Sequence, residues 1–309
     1  MPASDRNPRH GLSAVRRVPC IRSRSGAAAG RKDSDTLAVE EPLELRVAGV
    51  PVATLMRTPG SDRHLALGFY LSEGWIESIE DVGALVFCGR SGREDNVVDL
   101  VPARGARTRR PSDLPRLSPA VSSCGVCGKR TIDEVFAQSP LARRAPKVPA
   151  RPKHHRLLLL DPRVVVGLPA ALRAAQGIFE ATGAIHAAGL FDSSGRVDGV
   201  EEDVGRHNAV DKTIGRALIA RSPPLAGRGL VVSGRVSFEI VQKAYRAKLG
   251  AIVAVSGVTS LALDLALRAG IAVAGFVRGD TFTIYTPRSA ASPPRSRRQP
   301  RRPSASRRG

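Results

Sequence analysis

Leu43, Leu45 and Val47 alternate with polar residues up to a Gly-Val-Pro break, and Val52, Thr54 and Met56 repeat the spacing beyond it. A period of two on both sides of a turn predicts a pair of strands over 43–57. The next stretch predicts a short helix, with Asp62 as its cap and Gly74 as its stop. "ALVFCG" and "NVVDLV" predict two further short strands on either side of the polar turn Arg90 to Asp95. Cys88, inside the first of them, reads as a buried structural thiol.

The block from Leu168 to Pro287 is the most clearly patterned. "LPAALRAAQGIFEAT" predicts a helix, and "IHAAGLFD" with "RVDGVE" a hairpin about a Ser-Ser-Gly turn. A helix from Asn208 follows. Then come "GLVVSG", "SFEIVQKAYRAKLG", "AIVAVSG", "TSLALDLALRAG" and "IAVAGFVRG". Strand, helix, strand, helix, strand in that order predicts a parallel sheet with right-handed crossovers. Ser237 and Thr259 stand where N-caps belong, Gly250 and Gly270 where helices stop. The carboxyl ends of the three strands then share one edge, where ligands of open α/β sheets bind and helix N-termini offer N–H groups to anions. "VSGRVS" and "VSGVTS" put small residues there, but neither is a Walker loop or a GxGxxG fingerprint. A phosphate-bearing ligand fits the edge; ordinary turns that need glycine for backbone reasons fit it too.

The chain has 309 residues and a formal charge of +20, which points first to nucleic acid or an acidic membrane surface. The placement of the charge changes that picture. Residues 1–33 hold seven Arg and one Lys against two Asp, and residues 288–309 hold eight Arg and no acid. Both ends are rich in Ser, Pro, Ala and Gly and lack the interleaved aromatics of a nucleic-acid module, so they read as disordered basic tails. Between them the expected organisation is an N-terminal β-rich subdomain over 34–101, a flexible arm over 102–157 and an α/β domain over 158–287. No repeat is evident. Arg16 and Arg17 are followed by Pro19, Arg22 and Arg24 rather than an apolar run, so no signal peptide is expected. The longest uncharged run in the body, Leu249 to Leu263, falls short of the roughly 20 residues of a membrane helix, so a cytoplasmic protein off the membrane is expected.

The arm carries "SSCGVCGK", with Cys124 and Cys127 two residues apart. Structural zinc needs four ligands, and only one such pair exists; His154 and His155 lie in a Pro-rich linker. A thioredoxin-like switch would place the pair at a strand-to-helix junction, whereas a long polar arm precedes it. A zinc deaminase would show H-x-E before P-C-x-x-C; here no Pro precedes Cys124, and "HAA" at 186–188 comes later and lacks the Glu. Nucleophilic carriage remains. Small neighbours let a bulky donor approach, Lys129 and Arg130 favour the thiolate, a thiolate can hold sulfane sulfur as a persulfide, and the second thiol can help release it.

"SSCGVCGK", "EDVGRHNAVDK" (202–212), "VSGRVSFEIVQKA" (232–244) and "GFVRG" with a following "IYT" strongly resemble the FdhD family, in that order and across about residues 40–287. The resemblance implies a sulfur carrier for formate dehydrogenase. It would take sulfur from a cysteine desulfurase as a persulfide and pass it to the molybdenum cofactor, in its bis(molybdopterin guanine dinucleotide) form, before insertion into the enzyme. It also implies a mixed α/β, cytidine-deaminase-like three-layer fold holding the parallel βαβαβ block, with the smaller β-rich region added. A homodimer is expected, with no structural metal and no specific nucleic-acid partner. By motif, Cys124 matches the persulfide-bearing cysteine and Cys127 its partner. The cofactor-binding stretch falls on Phe276, Val277, Arg278, Gly279, Asp280 and Thr281. "GVTS" and "TGAIH" depart from the family's more frequent Ala-Pro-Thr-Ser and Thr-Gly-Gly, which bears on the fine shape of the pocket.

Arg235, beside a helix N-terminus, suits a diphosphate, as does Arg278. His186, Arg206 and His207 are candidate pyrophosphate or guanine contacts, two of them through the family motif, while composition alone reads His207 as a helix-capping or core residue. Glu202, Asp203 and Asp211 are expected to neutralise the arginines if the motif is only structural. Glu239 and Lys243 are expected to pair on a helix surface. The rival function classes are a CxxC redox or zinc-binding module and a basic nucleic-acid-associated protein.

Overall fold

A computed structural model describes residues 14–23, 25, 30–88, 96–106, 160–221 and 224–286. Three sheets and six helices make up the described part. Strands β1 (Val15–Arg22) and β2 (Arg31–Ala38) form an antiparallel ribbon. A four-stranded sheet has the order β4-β3-β6-β5, from β3 (Glu41–Val47), β4 (Val50–Arg57), β5 (Val82–Phe87) and β6 (Val97–Pro102). A six-stranded sheet has the order β12-β11-β10-β9-β7-β8, from β7 (His186–Phe191), β8 (Val197–Asp203), β9 (Gly229–Val232), β10 (Ala251–Ala254), β11 (Ala272–Arg278) and β12 (Thr281–Ile284). The helices are α1 (Asp62–Ser72), α2 (Pro162–Ala174), α3 (Gly177–Thr182), α4 (Arg206–Ala220), α5 (Phe238–Arg246) and α6 (Ser260–Ala269).

Strands β9, β10 and β11 pair in parallel and β7 with β8 antiparallel, as the hydrophobic runs predict. Strands β9 and β10 and the first half of β11 are buried on both faces, which is why they read as continuous apolar runs. Leu230, Val232, Ile252, Ala254 and Val273 enter one core with α1, α4, α5, α6 and the four-stranded sheet. Val231, Val253, Ala272 and Ala274 enter a second core with Val165, Leu168 and Leu172 of α2. The first core therefore runs through both the N-terminal β-rich region and the α/β block.

Four expectations change on contact with the structure. In β3 and β4, Leu43, Leu45 and Val47 are buried as expected, but Thr54 and Met56 are only half-buried and Leu55 points in. A bulge causes this: Leu45 pairs with Ala53 and Arg46 with Pro51, so Val52 is the extra residue and the inward face shifts by one. The helix expected over 168–182 is two helices. The first begins at Pro162 behind the Asp161 cap, and the chain breaks at Ala175 and Gln176 before α3. Residues 15–22 and 31–33, expected in a disordered tail, belong to the ribbon instead; Arg22 pairs with Asp33 and Asp35 across it, and β2 runs beside α3. Finally, Asp62 is the first residue of α1 rather than its cap; it accepts from Arg57, which has no exposed surface and also reaches Glu41 and Asn96.

Helices α1 and α4 cross at two glycines. A Cβ on Gly68 would lie 1.9 Å from the Asp211 carbonyl oxygen, and one on Gly215 1.9 Å from that of His64. Both obstacles are backbone, so neither can swing aside. Gly215→Ala should cost about 1–3 kcal/mol or more through overpacking, read as a lower denaturant midpoint at unchanged slope. A midpoint equal to wild type would mean that the helices do not touch there.

Among the described residues no helix is long and apolar enough to cross a membrane.

Candidate functional site

The carboxyl ends of β9, β10 and β11 share one edge, and two turns leave it. Ser233 to Ser237 leads into α5, and Val255 to Thr259 leads into α6. A parallel bridge between Val236 and Val258 joins the turns; Val236 N–H donates to Gly257 O at 2.9 Å and Thr259 N–H to Val236 O at 3.1 Å. Because β7 runs antiparallel to β9, its first residue, His186, arrives at the same edge, opposite Asp203 at the end of β8. Helix α4 begins there with Arg206 and His207.

Three helix N-termini thus converge. Gly205, Ser237 and Thr259 occupy the N-cap positions of α4, α5 and α6, and none makes a side-chain capping bond. Ser237 and Thr259 are cap residues by position, as expected, without capping bonds. The first turns of helices carry partial positive charge, which favours an anion.

The arginines add to this. Arg235 and Arg278 are exposed and, like Arg206, have no ion-pair or side-chain hydrogen-bond partner among the described residues. Arg206 Nε is buried with no acceptor. A buried donor left unmade is costly, and its usual account is a missing water, ion or ligand.

The acids of "EDVGRHNAVDK" pair with other groups than these arginines, which removes the alternative of an ion-pair network that neutralises them. Glu202 accepts from the Ile178 and Phe179 N–H groups and so holds the start of α3. Asp203, fully buried, pairs with Lys212 at 2.7 Å and accepts from Thr58 N, Gly205 N and Asn208 Nδ2. Asp211 pairs with Lys243 at 2.7 Å and accepts from Ser72; burial pushes its carboxyl up, while Lys243 and Ser72 pull it back. The expected surface pair Glu239–Lys243 is absent, because Lys243 faces inward to Asp211 and Glu239 faces His207.

His207 is 4% exposed, with Nε2 3.2 Å from Ser237 Oγ and 3.8 Å from Glu239 Oε2. Both contacts join α4 to α5. His186 Nδ1 lies 3.4 Å from Ser233 Oγ, which accepts from Ala187 N. Burial lowers the His186 pKa and the Arg206 charge lowers it further, against an opposing pull from Asp203.

The stretch 276–281 divides. Val277 is 1% exposed and belongs to the second core, so its side chain serves packing rather than the edge. Arg278, Gly279, Asp280 and Thr281 form the β11–β12 turn, closed by Thr281 Oγ1 donating to Arg278 O at 2.9 Å. Phe276 is 47% exposed at φ +54°, a conformation rare for a bulky residue, where a bulge interrupts the β11–β12 register. Its N–H donates to Ser256 O at 3.0 Å.

Cys124 and Cys127 lie outside the described residues, as does most of the arm. Cys88 is half-buried at the end of β5, and Cys20 is half-buried in β1. The sequence marked Ser233, Gly234 and Gly257 only as small residues of the two "VSG" turns, without individual roles.

A model of the FdhD/NarQ family matches residues 38–291. The chain is 43% identical over 271 residues to the sulfur carrier protein FdhD of Streptomyces coelicolor, covering 86% of this chain and 91% of that one. It is 46% identical over 256 residues to the FdhD protein of Nocardia farcinica, covering 82% and 86%, and 45% identical over 262 residues to that of Anaeromyxobacter dehalogenans, covering 81% and 86%. The crystal structure of a formate dehydrogenase accessory protein from Desulfotalea psychrophila shares the fold, with a TM-score of 0.64 at 18% identity over 89% of this chain and 98% of that one. With a family match across most of its length and relatives above 40% identity, the chain belongs to the FdhD/NarQ family.

Proposed function

We propose that the protein is a cytoplasmic sulfur carrier that loads sulfane sulfur on Cys124 and delivers it to the guanine-dinucleotide form of the molybdenum cofactor for a formate dehydrogenase. The observation that carries this reading is the "SSCGVCGK" pair lying inside the family match. The Cys124 thiolate attacks the terminal sulfur of a desulfurase persulfide, a new S–S bond forms, and the desulfurase thiolate leaves. Attack by the Cys127 thiol on the Cys124 sulfur then expels hydrosulfide and leaves a Cys124–Cys127 disulfide, which a dithiol reductant resets.

The cofactor in this scheme is cargo, and the sheet edge suits its guanine nucleotide end. The helix starts, the buried Arg206 Nε, and Arg235 and Arg278, which have no ion-pair partner among the described residues, all offer positive charge. The mixed sheet with helices on both faces accommodates the deaminase-like arrangement that the resemblance implies. The structural relative's name, a formate dehydrogenase accessory protein, agrees with a formate dehydrogenase as the client; a cysteine desulfurase as the donor and a homodimer belong to the same reading.

Incubation with a cysteine desulfurase and cysteine should add the mass of one sulfur atom to the intact protein, and to neither Cys124→Ala nor a cysteine-blocked sample. Absence of added sulfur on the wild type would sink the carrier reading. Calorimetry tests the nucleotide end. GDP should bind near micromolar, equivalent to about 8 kcal/mol, and weaken with salt without vanishing. Arg278→Ala should lose about tenfold or more, the scale of one charge-assisted hydrogen bond. Unchanged affinity in that variant would move the phosphates elsewhere.

A further inference from the structure

Helices α3 and α6 each end on a left-handed glycine, Gly183 at φ +65° and Gly270 at φ +70°. Helices α4 and α5 end otherwise. Arg221 takes φ +56° at the end of α4, and Lys248 takes φ +60° in the turn after α5. A side chain is strained in that conformation and glycine is not, so the backbone gives no reason for either cation. What the two residues share is a cavity of about 360 Å³ that both line. Leu71, Ile79, Leu218 and Leu225 give it an apolar floor, and the last three are only half-buried. The nine residues of α5 carry its end about 13 Å from its first turn at the carboxyl edge, so this is a separate place on the molecule.

The charges around the cavity are unequally engaged. Arg246 donates to the carbonyl oxygens of Leu71 and Ile76 and to Glu77 at 3.1 Å, and so closes the end of α1. Arg221 meets Glu80 at 3.3 Å with both side chains well exposed, a kind of pair that contributes little and exchanges readily for another carboxylate. Lys248 is exposed and has no ion-pair or side-chain hydrogen-bond partner among the described residues. Two strained cations beside an apolar floor suit a carboxylate set next to a large apolar side chain.

The chain that leads to the cysteine pair departs along the same wall. Ile79 and Glu80 line the cavity, and the next residue, Asp81, accepts from Ala103 N at 2.9 Å just past β6. Cys124 follows Ala106 by eighteen residues. A protein seated in the cavity is therefore held at the root of the arm, and a tether that short gives the thiol an effective concentration on the order of millimolar.

We propose that this cavity is the docking point of the sulfur donor, a protein that presents an acidic residue beside a bulky apolar one. The assignment rests on the carrier reading. It adds a surface, a partner chemistry and two residues, Arg221 and Lys248, that touch the donor and not the sulfur. Docking gathers the donor persulfide near Cys124 without entering the transfer, so its loss raises the donor's KM and leaves kcat alone.

Replacing both cations by glycine tests this without threatening the fold, because glycine relieves the backbone at each position. The double variant Arg221→Gly, Lys248→Gly should keep or raise the thermal midpoint. Its KM for a purified cysteine desulfurase in Cys124 loading should rise about tenfold or more, the scale of one charge-assisted hydrogen bond, at unchanged kcat. Lys248→Arg keeps the charge and should keep the KM. Inorganic polysulfide needs no docking: the Cys124 thiolate takes one sulfur atom, a polysulfide shorter by that atom leaves, and the rate should be the same in wild type and variant. An unchanged desulfurase KM in the double variant, or an equal loss of loading from polysulfide, overturns the proposal. So does a dimer of the wild type that the double variant loses in sedimentation, since the cavity would then hold a second copy. Calorimetric titration with the desulfurase separates docking from the carrier reading. Binding that the double variant weakens, on a protein whose Cys124 takes sulfur from neither source, would remove that reading and leave the docking surface standing.

Discussion

Replacing Cys124 by alanine abolishes sulfur uptake and reduces client formate dehydrogenase activity to background, while the thermal midpoint moves by less than about 2 °C. The first half of that expectation is chemical. Alanine has no atom that can hold sulfane sulfur, and the thiolate is favoured at this position by Lys129 and Arg130 downstream. The second half is structural. Among the described residues both hydrophobic cores are built from residues before 101 and after 159, and the sequence around the pair, "SSCGVCGK", offers almost no apolar bulk to a core. A substitution away from a core typically changes stability by within about 0.5 kcal/mol, which for a chain of this size is about 2 °C or less. Activity comes from cells lacking their own copy of the carrier, the midpoint from calorimetry of the purified variant. A collapsed midpoint would make the pair structural; retained sulfur uptake would pass the role to Cys127. Cys127→Ala should still load sulfur and release it slowly. Equal loss of loading in both variants would remove the ranking between the two thiols.

Much of the α/β block was legible because its signals are local and agree with one another. Runs such as "GLVV" and "AIVA", each followed by small residues and then an amphipathic stretch, specify strand, turn and helix without reference to anything distant. Gly270, at φ +70°, closes α6 as its position predicts. The failures come from non-local terms. Nothing near Val52 in the sequence marks it as a bulge residue; the partner strand decides that. The ribbon up to residue 33 is polar enough to read as a tail, and it is held by cross-strand pairs such as Arg22 with Asp33 and Asp35 and by the approach of β2 to α3.

At the carboxyl edge, the sequence placed the strand-to-helix turns where the structure has them but misassigned several of the charges around them. Arg235 and Arg278 were identifiable because each follows or ends a parallel strand. Glu202, Asp203 and Asp211 sit among arginines in sequence, yet space pairs them with Lys212, Lys243 and backbone N–H groups. The Glu239–Lys243 spacing obeys the helical pairing rule, but Lys243 is 4% exposed and already engaged. Pair rules assume a solvent-facing surface, and α5 turns this side to α1 and α4. Phe276 was taken from a motif resemblance; its left-handed backbone and its seat on Gly257 are visible only in three dimensions.

Lys212→Met should cost about 3–5 kcal/mol, the usual penalty for breaking a buried ion pair by removing one member. That is a large share of the roughly 5–15 kcal/mol that holds a domain together. Lys212 is 1% exposed and Asp203 0%, and the ammonium also donates to the carbonyl oxygens of Thr58 at 2.8 Å and Glu202 at 3.2 Å. Methionine matches the length of the stem but leaves the Asp203 carboxylate without its counter-charge and those oxygens short of a donor. Asp203→Asn should cost a similar amount. The double variant should cost less than the sum by about 1–3 kcal/mol, since residues in one network couple. Chemical unfolding of the three variants measures this, and a loss below about 1 kcal/mol for Lys212→Met would mean that the pair is not holding the blocks together. The consequence reaches the site. Asp203 also holds the Gly205 N–H and Asn208, which flank Arg206 and His207, while Thr58 belongs to the chain leaving β4. The same pair therefore joins the N-terminal sheet to the α/β block and fixes the turn from which Arg206 projects. Lys212→Met should accordingly weaken pyrophosphate binding even where the variant remains folded, and pyrophosphate affinity equal to wild type in folded Lys212→Met would separate the two roles.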